Sequence, residues 1–443
     1  MPASPLDVIA KMPMRTRQYV IIALCCLINI TEGYDMMSAA YTAPLFTAEW
    51  GAPRTALGIL FSMGSLGLAF GAFAAAPIAE RIGRRGVTFV ALAGITISHA
   101  LSAMAHSMEM LTFLKFLMGV GLGMLVVSLN VLVSEFANDD RRNLMLSLLH
   151  TGFSIGMTIS GAVTGLLLEP YGWRSVFVVG AAINIVLLAV LTLFMWESPA
   201  YLLSARPRNA LPRLNKILTG LGQPTLSELP PPPPRTERKE NRAMALLSSD
   251  VRRLSLLMWT ASFVYAVVGY FLLNWKPTVL VDAGLTPTQA SFAGVAQGIC
   301  GSVGHIVVGM LAKRVGEGRL TAIFFLVMGC VLVLFGNVQA SAPVMIALAC
   351  SLTFFTVGSY TGVFLTTIAH YPLHLRSFGV GFVVGIGRAG AVIGPFIGGL
   401  LLDADIGRGA TFVFFATLSV IPAVALLVLG RAIKPSAPQA ASV

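Results

Sequence analysis

The chain has 443 residues, 56% of them hydrophobic and 11% charged, with a formal net charge of +11. Soluble domains are about a quarter charged, so this composition excludes a soluble globule and fits a chain solvated by lipid. The basic excess invites a nucleic-acid partner, but its distribution along the chain excludes one.

Apolar runs long enough to cross about 30 Å of hydrocarbon as helices recur along the whole chain. The roughly ten-residue alternation of barrel strands is absent. Twelve spans are predicted near 18–40, 55–79, 87–106, 110–134, 143–168, 174–196, 254–281, 289–312, 320–338, 343–368, 378–402 and 410–430. The first is too long for a signal-peptide core and no small-residue cleavage site follows it, so it is expected to be retained. With the N-terminus inside, 24 of the 30 Lys and Arg fall in inner segments, from Lys11, Arg15 and Arg17 to Arg431 and Lys434. This positive-inside bias predicts cytoplasmic termini and accounts for the charge without nucleic acid.

In chain order, the first unusual feature is "ITEGYDMM" in span one, which places Glu32 and Asp35 in an apolar run. At i and i+3 they share a helix face. Charge inside a bilayer is costly, so such residues face a cavity and carry function. Lys115 near the outer end of span four is expected to snorkel to the interface. Spans five and eleven end alike, in "SIGMTISGAVTGLLLE" and "RAGAVIGPFIGGLLLD", with small residues that let helices approach closely in lipid. The inner loops "AERIGRR" and "AKRVGEGR" also answer each other. Two six-helix halves with a binding site at mid-membrane are the architecture of many transporters. The domains expected are a bundle over 1–197, a cytoplasmic proline-rich, basic loop over 198–253, and a second bundle with a short tail over 254–443. Five consecutive prolines in the loop favour an extended polyproline segment. The five cysteines, Cys25, Cys26, Cys300, Cys330 and Cys350, lie in apolar runs without metal-ligand spacing, so no metal and no cofactor is expected.

These features resemble the major facilitator superfamily. "GAFAAAPIAERIGRR" resembles its loop 2–3 motif, Gly-x-x-x-Asp-Arg-x-Gly-Arg-Arg, with Arg81, Gly83, Arg84 and Arg85 matching and Ala76 and Glu80 in place of the glycine and aspartate. "KFLMGVGLG" resembles the span-four pattern, with Lys115 for its arginine, and "YGWRSVFVVGA" and "WESPAYLL" resemble the entry and exit of span six. "EGYD", "NWKPTVLVDAGLT" and "GIGRAGAVIGP" resemble the aromatic acid:proton symporter family, whose span-one motif is Asp-Gly-x-Asp; Glu32 stands for its first aspartate. The resemblance implies an all-α membrane protein of twelve helices in two pseudo-symmetric bundles. It implies proton-driven uptake of aromatic carboxylates such as hydroxybenzoates, protocatechuate or hydroxyphenylpropionates across a bacterial inner membrane, by a monomer.

The residues fit that chemistry. Asp35 and Glu32 can load a proton on one side and release it on the other. Arg388 lies in a glycine-rich span with no acid on the adjacent turns. Its planar fork suits a carboxylate, whether of the substrate or of Glu32 or Asp35. His305 can bind a phenol or relay protons. Tyr34, Phe153, Tyr265, Tyr270, Trp275, Phe364 and Phe382 are candidates to sandwich a ring, and Asn274 and Asn130 to bind a ring hydroxyl. Lys276 is expected at a wet mouth of span seven. Glu80 is expected to cap a helix of the other half, and Arg81, Arg84 and Arg85 to pair with Glu135 when the cytoplasmic side is closed.

Other functions fit less well. Another small organic acid or a polyol is the alternative cargo, and Arg388 favours an anion over a neutral sugar. The proline-glycine span-five motif of drug antiporters is missing from "GFSIGMTISG". An enzyme would need a completed nucleophile or metal set, and His370 and His374 have no Glu or Cys beside them. A transport-like receptor would need a signalling domain, for which the 56-residue loop is too short.

Overall fold

The computed structural model describes residues 5–230, 244–249, 251–372, 375–404 and 406–432. The loop prolines Pro231–Pro234, the loop basic residues Arg235, Arg238, Lys239 and Arg242, and His374 and Lys434 lie outside the described residues. Those described form helices and no strand. A short α1 (Pro5–Lys11) precedes α2 (Thr16–Trp50), α3 (Arg54–Ala103), α4 (Met108–Phe136), α5 (Arg142–Tyr171) and α6 (Arg174–Phe194). Two short helices follow, α7 (Pro199–Ser204) and α8 (Ala210–Gly220). Then come α9 (Arg252–Asp282), α10 (Pro287–Val315), α11 (Glu317–Asn337), α12 (Ala342–His370), α13 (Arg376–Asp403) and α14 (Gly407–Ala432).

Eleven of these helices are long and apolar enough to cross a membrane. The 50 residues of α3 would reach about 75 Å if straight, more than twice the hydrocarbon thickness. They are broken at Gly83, where φ is 83° and ψ is 166°. A side chain is disfavoured in that left-handed region. Counting α3 as two crossings restores the twelve spans expected, with the break inside the loop 2–3 motif.

The first span is longer than its apolar run. Helix α2 continues through Pro44 to Trp50, so that Asp35 lies near its middle. Proline removes one main-chain donor. The hydroxyl of Thr47 bonds the carbonyl of Ala43 at 2.6 Å just beyond it.

The chain forms two compact units. One comprises Met1–Ala39 and Met63–Thr236, the other Ala40–Ser62 and Glu237–Val443. In the first, a buried cluster of aliphatic side chains runs through α1 to α8, including Ile28, Leu68, Leu125, Leu149, Leu191 and Leu214. Close approach of α2 and α5 depends on glycine: a Cβ at Gly33 would strike the Phe153 carbonyl, and one at Gly156 the Ile30 carbonyl.

In the second unit α9 packs on α13, α10 on α12, and α11 on α14. The hairpin between α2 and α3 belongs to this unit. Arg54 and Thr55 donate main-chain hydrogen bonds to Asp403 at 3.1 and 2.9 Å, and Arg54 pairs with Asp282 at 2.9 Å. The Ser62 hydroxyl donates to Val392 O at 2.6 Å. Asp403 thus caps the N-terminus of α3, where main-chain N–H groups lack partners.

Candidate functional site

In the first unit three buried ionisable groups, Asp35, His99 and Lys115, lie together. Asp35 of α2 and His99 of α3 are both fully buried, and His99 Nε2 lies 2.9 Å from Asp35 Oδ1. That is ion-pair distance, but the approach is off the line of a hydrogen bond. The other ring nitrogen, Nδ1, lies 3.3 Å from the Ile95 carbonyl. A carbonyl only accepts, so this contact assigns a proton to Nδ1. Nε2 and Oδ1 then meet lone pair to lone pair unless a second proton sits between them.

Lys115 is a correction to the sequence expectation. It does not snorkel. It is 5% exposed, and its stem lies against Gly64. Its ammonium donates to the Asp35 main-chain carbonyl and faces the carboxylate electrostatically. The missing side chain at Gly64 lets the lysine run inward along α3.

Tyr34 walls this pair. Its hydroxyl donates to Val176 O at 2.7 Å, and its ring lies 6.2 Å from that of His99. The Phe177 ring lies 6.0 Å from the imidazole. Glu32, on the same helix, is half-buried. Phe153 is also half-buried, and the Asn130 amide is taken by Val126 O at 2.7 Å.

The second unit holds Arg388 on α13. Its Nη1 donates to the Tyr270 hydroxyl at 2.9 Å, and both side chains are half-buried. Asn274, one turn along α9, donates to the Tyr270 carbonyl at 2.8 Å. His305 Nδ1 bonds the Thr361 hydroxyl. Trp275 is fully buried rather than interfacial; its indole N–H donates to Pro395 O at 3.0 Å, and Phe61 meets it edge-on at 5.9 Å. Tyr265 packs on Tyr360 at 5.7 Å, Phe382 stacks on Trp259 at 5.7 Å, and Phe364 is exposed. Lys276 is a second correction: no wet mouth surrounds it. It is 5% exposed and bonds the Thr353 hydroxyl.

The loop 2–3 motif is built around a residue that sequence reasoning passed over. Glu197, in "WESP", accepts from the Arg85 main-chain N–H at 3.0 Å and fills the space beside Gly83. Arg213 reaches it at 3.9 Å. Arg85 donates to Thr192 O at 2.7 Å, and Arg84 lies over the Tyr201 ring at 5.9 Å. Tyr201 in turn donates to Arg81 O at 3.0 Å. Glu135 accepts from the Ser198 hydroxyl at 2.5 Å and from Ala200 N at 3.2 Å, so it caps α7. Arg84 acts on it at longer range. Glu80 is exposed.

His99 is the other omission. It was visible as an ionisable residue inside the third apolar run, "TISHALSA", and that rarity is itself a functional signal. Nothing in the sequence pairs it with Asp35, 64 positions earlier.

The Major Facilitator Superfamily profile matches residues 25–372 and 258–442. A gallate transporter from Pseudomonas putida is 31% identical, over 97% of this chain and 96% of that protein. The 4-hydroxybenzoate transporter PcaK from Pseudomonas aeruginosa is 30% identical, over 93% and 91% of the two chains. A 3-(3-hydroxy-phenyl)propionate transporter from Escherichia coli is 26% identical, over 94% of each. Among solved structures, a D-xylose-proton symporter superposes with a TM-score of 0.74 at 15% identity, over 92% of this chain and 97% of that one. A bacterial homologue of the human lysosomal transporter Spinster, in an inward-facing and occupied conformation, gives 0.73 at 13% identity, over 95% and 98%. Those two likenesses concern the fold alone. With a profile match across most of the chain and relatives aligned over nearly their full length, this multi-pass membrane protein is a transporter, not an enzyme, and belongs to the Major Facilitator Superfamily.

Proposed function

We propose that the protein is a proton-coupled symporter that imports a hydroxylated aromatic carboxylate by alternating access, as a monomer in a bacterial inner membrane with both termini cytoplasmic. The observation that supports the proton coupling is the fully buried Asp35–His99 pair, with Nε2 2.9 Å from Oδ1. The aromatic cargo is supported by relatives named for gallate, 4-hydroxybenzoate and hydroxyphenylpropionate transport.

In this scheme Asp35 and His99 take up the proton, with Glu32 on the adjoining turn as the entry carboxylate. Arg388, oriented by Tyr270, receives the substrate carboxylate through its fork. His305, Asn274 and the aromatic side chains Tyr270 and Phe364 contribute to the ring site, and Tyr34, Phe153 and Trp275 are the further aromatic candidates. Glu80, Arg81, Arg84 and Arg85, braced by Glu197 and Glu135, gate the cytoplasmic side. Binding of anion and proton together keeps the loaded carrier close to neutral, which lowers the cost of moving charge through a low-dielectric path.

The test is uptake of radiolabelled 4-hydroxybenzoate and gallate by cells expressing the protein, with and without a protonophore. Accumulation above the external concentration that collapses with the proton gradient is expected. Accumulation that persists unchanged without the gradient removes proton coupling.

A further inference from the structure

Lys276 is a buried cation for which the scheme above has no use. Among the described residues no carboxylate lies within ion-pair distance of it. An ammonium has three N–H donors. One goes to Thr353 Oγ1. Thr353 in turn lies 3.2 Å from Gln297 Oε1 and 3.0 Å from Ala349 O. Thr353 and Gln297 are each only 4% or less exposed. The three side chains come from α9, α12 and α10, which pack on one another, so the point is held from three sides.

A buried ammonium whose neighbours are a hydroxyl and, at longer range, the thiols of Cys300 and Cys350 is poorly compensated. Its surroundings define what would complete it. Spare N–H donors stand beside two oxygen acceptors, Thr353 Oγ1 and Gln297 Oε1. A carboxylate could accept from Lys276 but has no hydrogen to give to Gln297 Oε1. A phenolic hydroxyl would use both kinds of partner, accepting from Lys276 and donating to Gln297. The ammonium would also stabilise the partial negative charge on the phenol oxygen. Tyr270, which holds Arg388, lies six residues earlier on α9.

We propose that Lys276, Thr353 and Gln297 form a subsite for a ring hydroxyl of the transported aromatic acid, leaving its carboxylate to Arg388. This rests on the aromatic-acid function proposed above and adds that the carrier distinguishes hydroxylated from plain benzoates.

The full-length protein, purified in detergent, is titrated calorimetrically with benzoate, 4-hydroxybenzoate and gallate. Lys276→Met is expected to weaken 4-hydroxybenzoate and gallate at least tenfold and to change benzoate less than twofold. Thr353→Val is expected to shift the same ratio by a smaller factor. Equal weakening of all three acids by Lys276→Met, or no weakening of any, overturns the subsite. If the wild-type protein binds none of the three, the aromatic-acid function itself fails, and the subsite with it. Should Lys276→Met not fold, as judged by its melting curve, Thr353→Val and Gln297→Leu carry the same comparison with the same two outcomes.

Discussion

In the first unit a buried carboxylate, Asp35, meets His99 at 2.9 Å and receives Lys115 on its own main-chain carbonyl. In the second a buried ammonium, Lys276, meets the hydroxyl of Thr353 and no carboxylate among the described residues. Both lysines are equally buried, and both bind an oxygen on a neighbouring helix. Only the first has an anion beside it. The Asp35 cluster therefore has its own charges to balance, and one proton more or less is enough to change its state. The Lys276 cluster has a cation with no carboxylate at ion-pair distance among the described residues. On the reading proposed above, the difference separates two tasks: the Asp35 cluster serves the proton, the Lys276 cluster a phenolic hydroxyl.

The largest expected effect comes from breaking the first half of that contrast. Asp35→Asn keeps the size of the side chain but cannot lose and regain a proton. Proton-driven accumulation in proteoliposomes should be abolished, whereas exchange of internal for external substrate should persist. Loss of exchange as well would place Asp35 in substrate binding rather than in coupling.

Next in size is Arg388→Lys, which keeps the charge and removes the planar fork. Loss of a charged hydrogen bond of about 1.5–3 kcal/mol corresponds to a rise in KM of about ten- to a hundredfold. Measured uptake kinetics with an unchanged KM and a reduced maximal rate would move Arg388 from ligand binding to conformational change.

The smallest of the three is His99→Gln, which retains a hydrogen-bonding side chain but offers no second site for the proton. Steady-state accumulation should fall by about fivefold, on the scale of about 1 kcal/mol for one altered hydrogen bond, and exchange should stay near the wild-type rate. If exchange and accumulation fall together, His99 supports the packing of Tyr34 and Phe177 instead of the proton.

Much of the architecture was legible because lipid imposes a simple rule: every main-chain polar group must be satisfied within the span, so spans read as long apolar runs. The count of twelve follows from that, and the break in α3 falls at the glycine of a motif already visible in "ERIGRR". Asp35 stood out for the same reason, as a charge in the wrong solvent. Lys115 and Lys276 were misplaced because distance from a span end says little about where a four-carbon stem turns. Gly64 on another helix lets Lys115 run inward, and Thr353 on another helix receives Lys276. Glu197 was read as part of an exit motif, although its carboxylate closes the turn at Gly83.

The sequence by itself determined that this chain spans a membrane, how often it crosses, which faces of its helices carry charge, and the superfamily to which it belongs. Those properties depend on composition and on periodicity within one helix, where the spacing of neighbours is set by the chain. Tertiary structure alone decided that His99 meets Asp35, that Glu197 braces the loop 2–3 turn, that the residue 40–62 hairpin packs with the second unit, and that Lys276 meets Thr353 and, among the described residues, no carboxylate. Each of these is a contact between helices far apart in the chain. Its distance is set by packing of small residues and by where a buried charge finds a partner, and no local pattern encodes either.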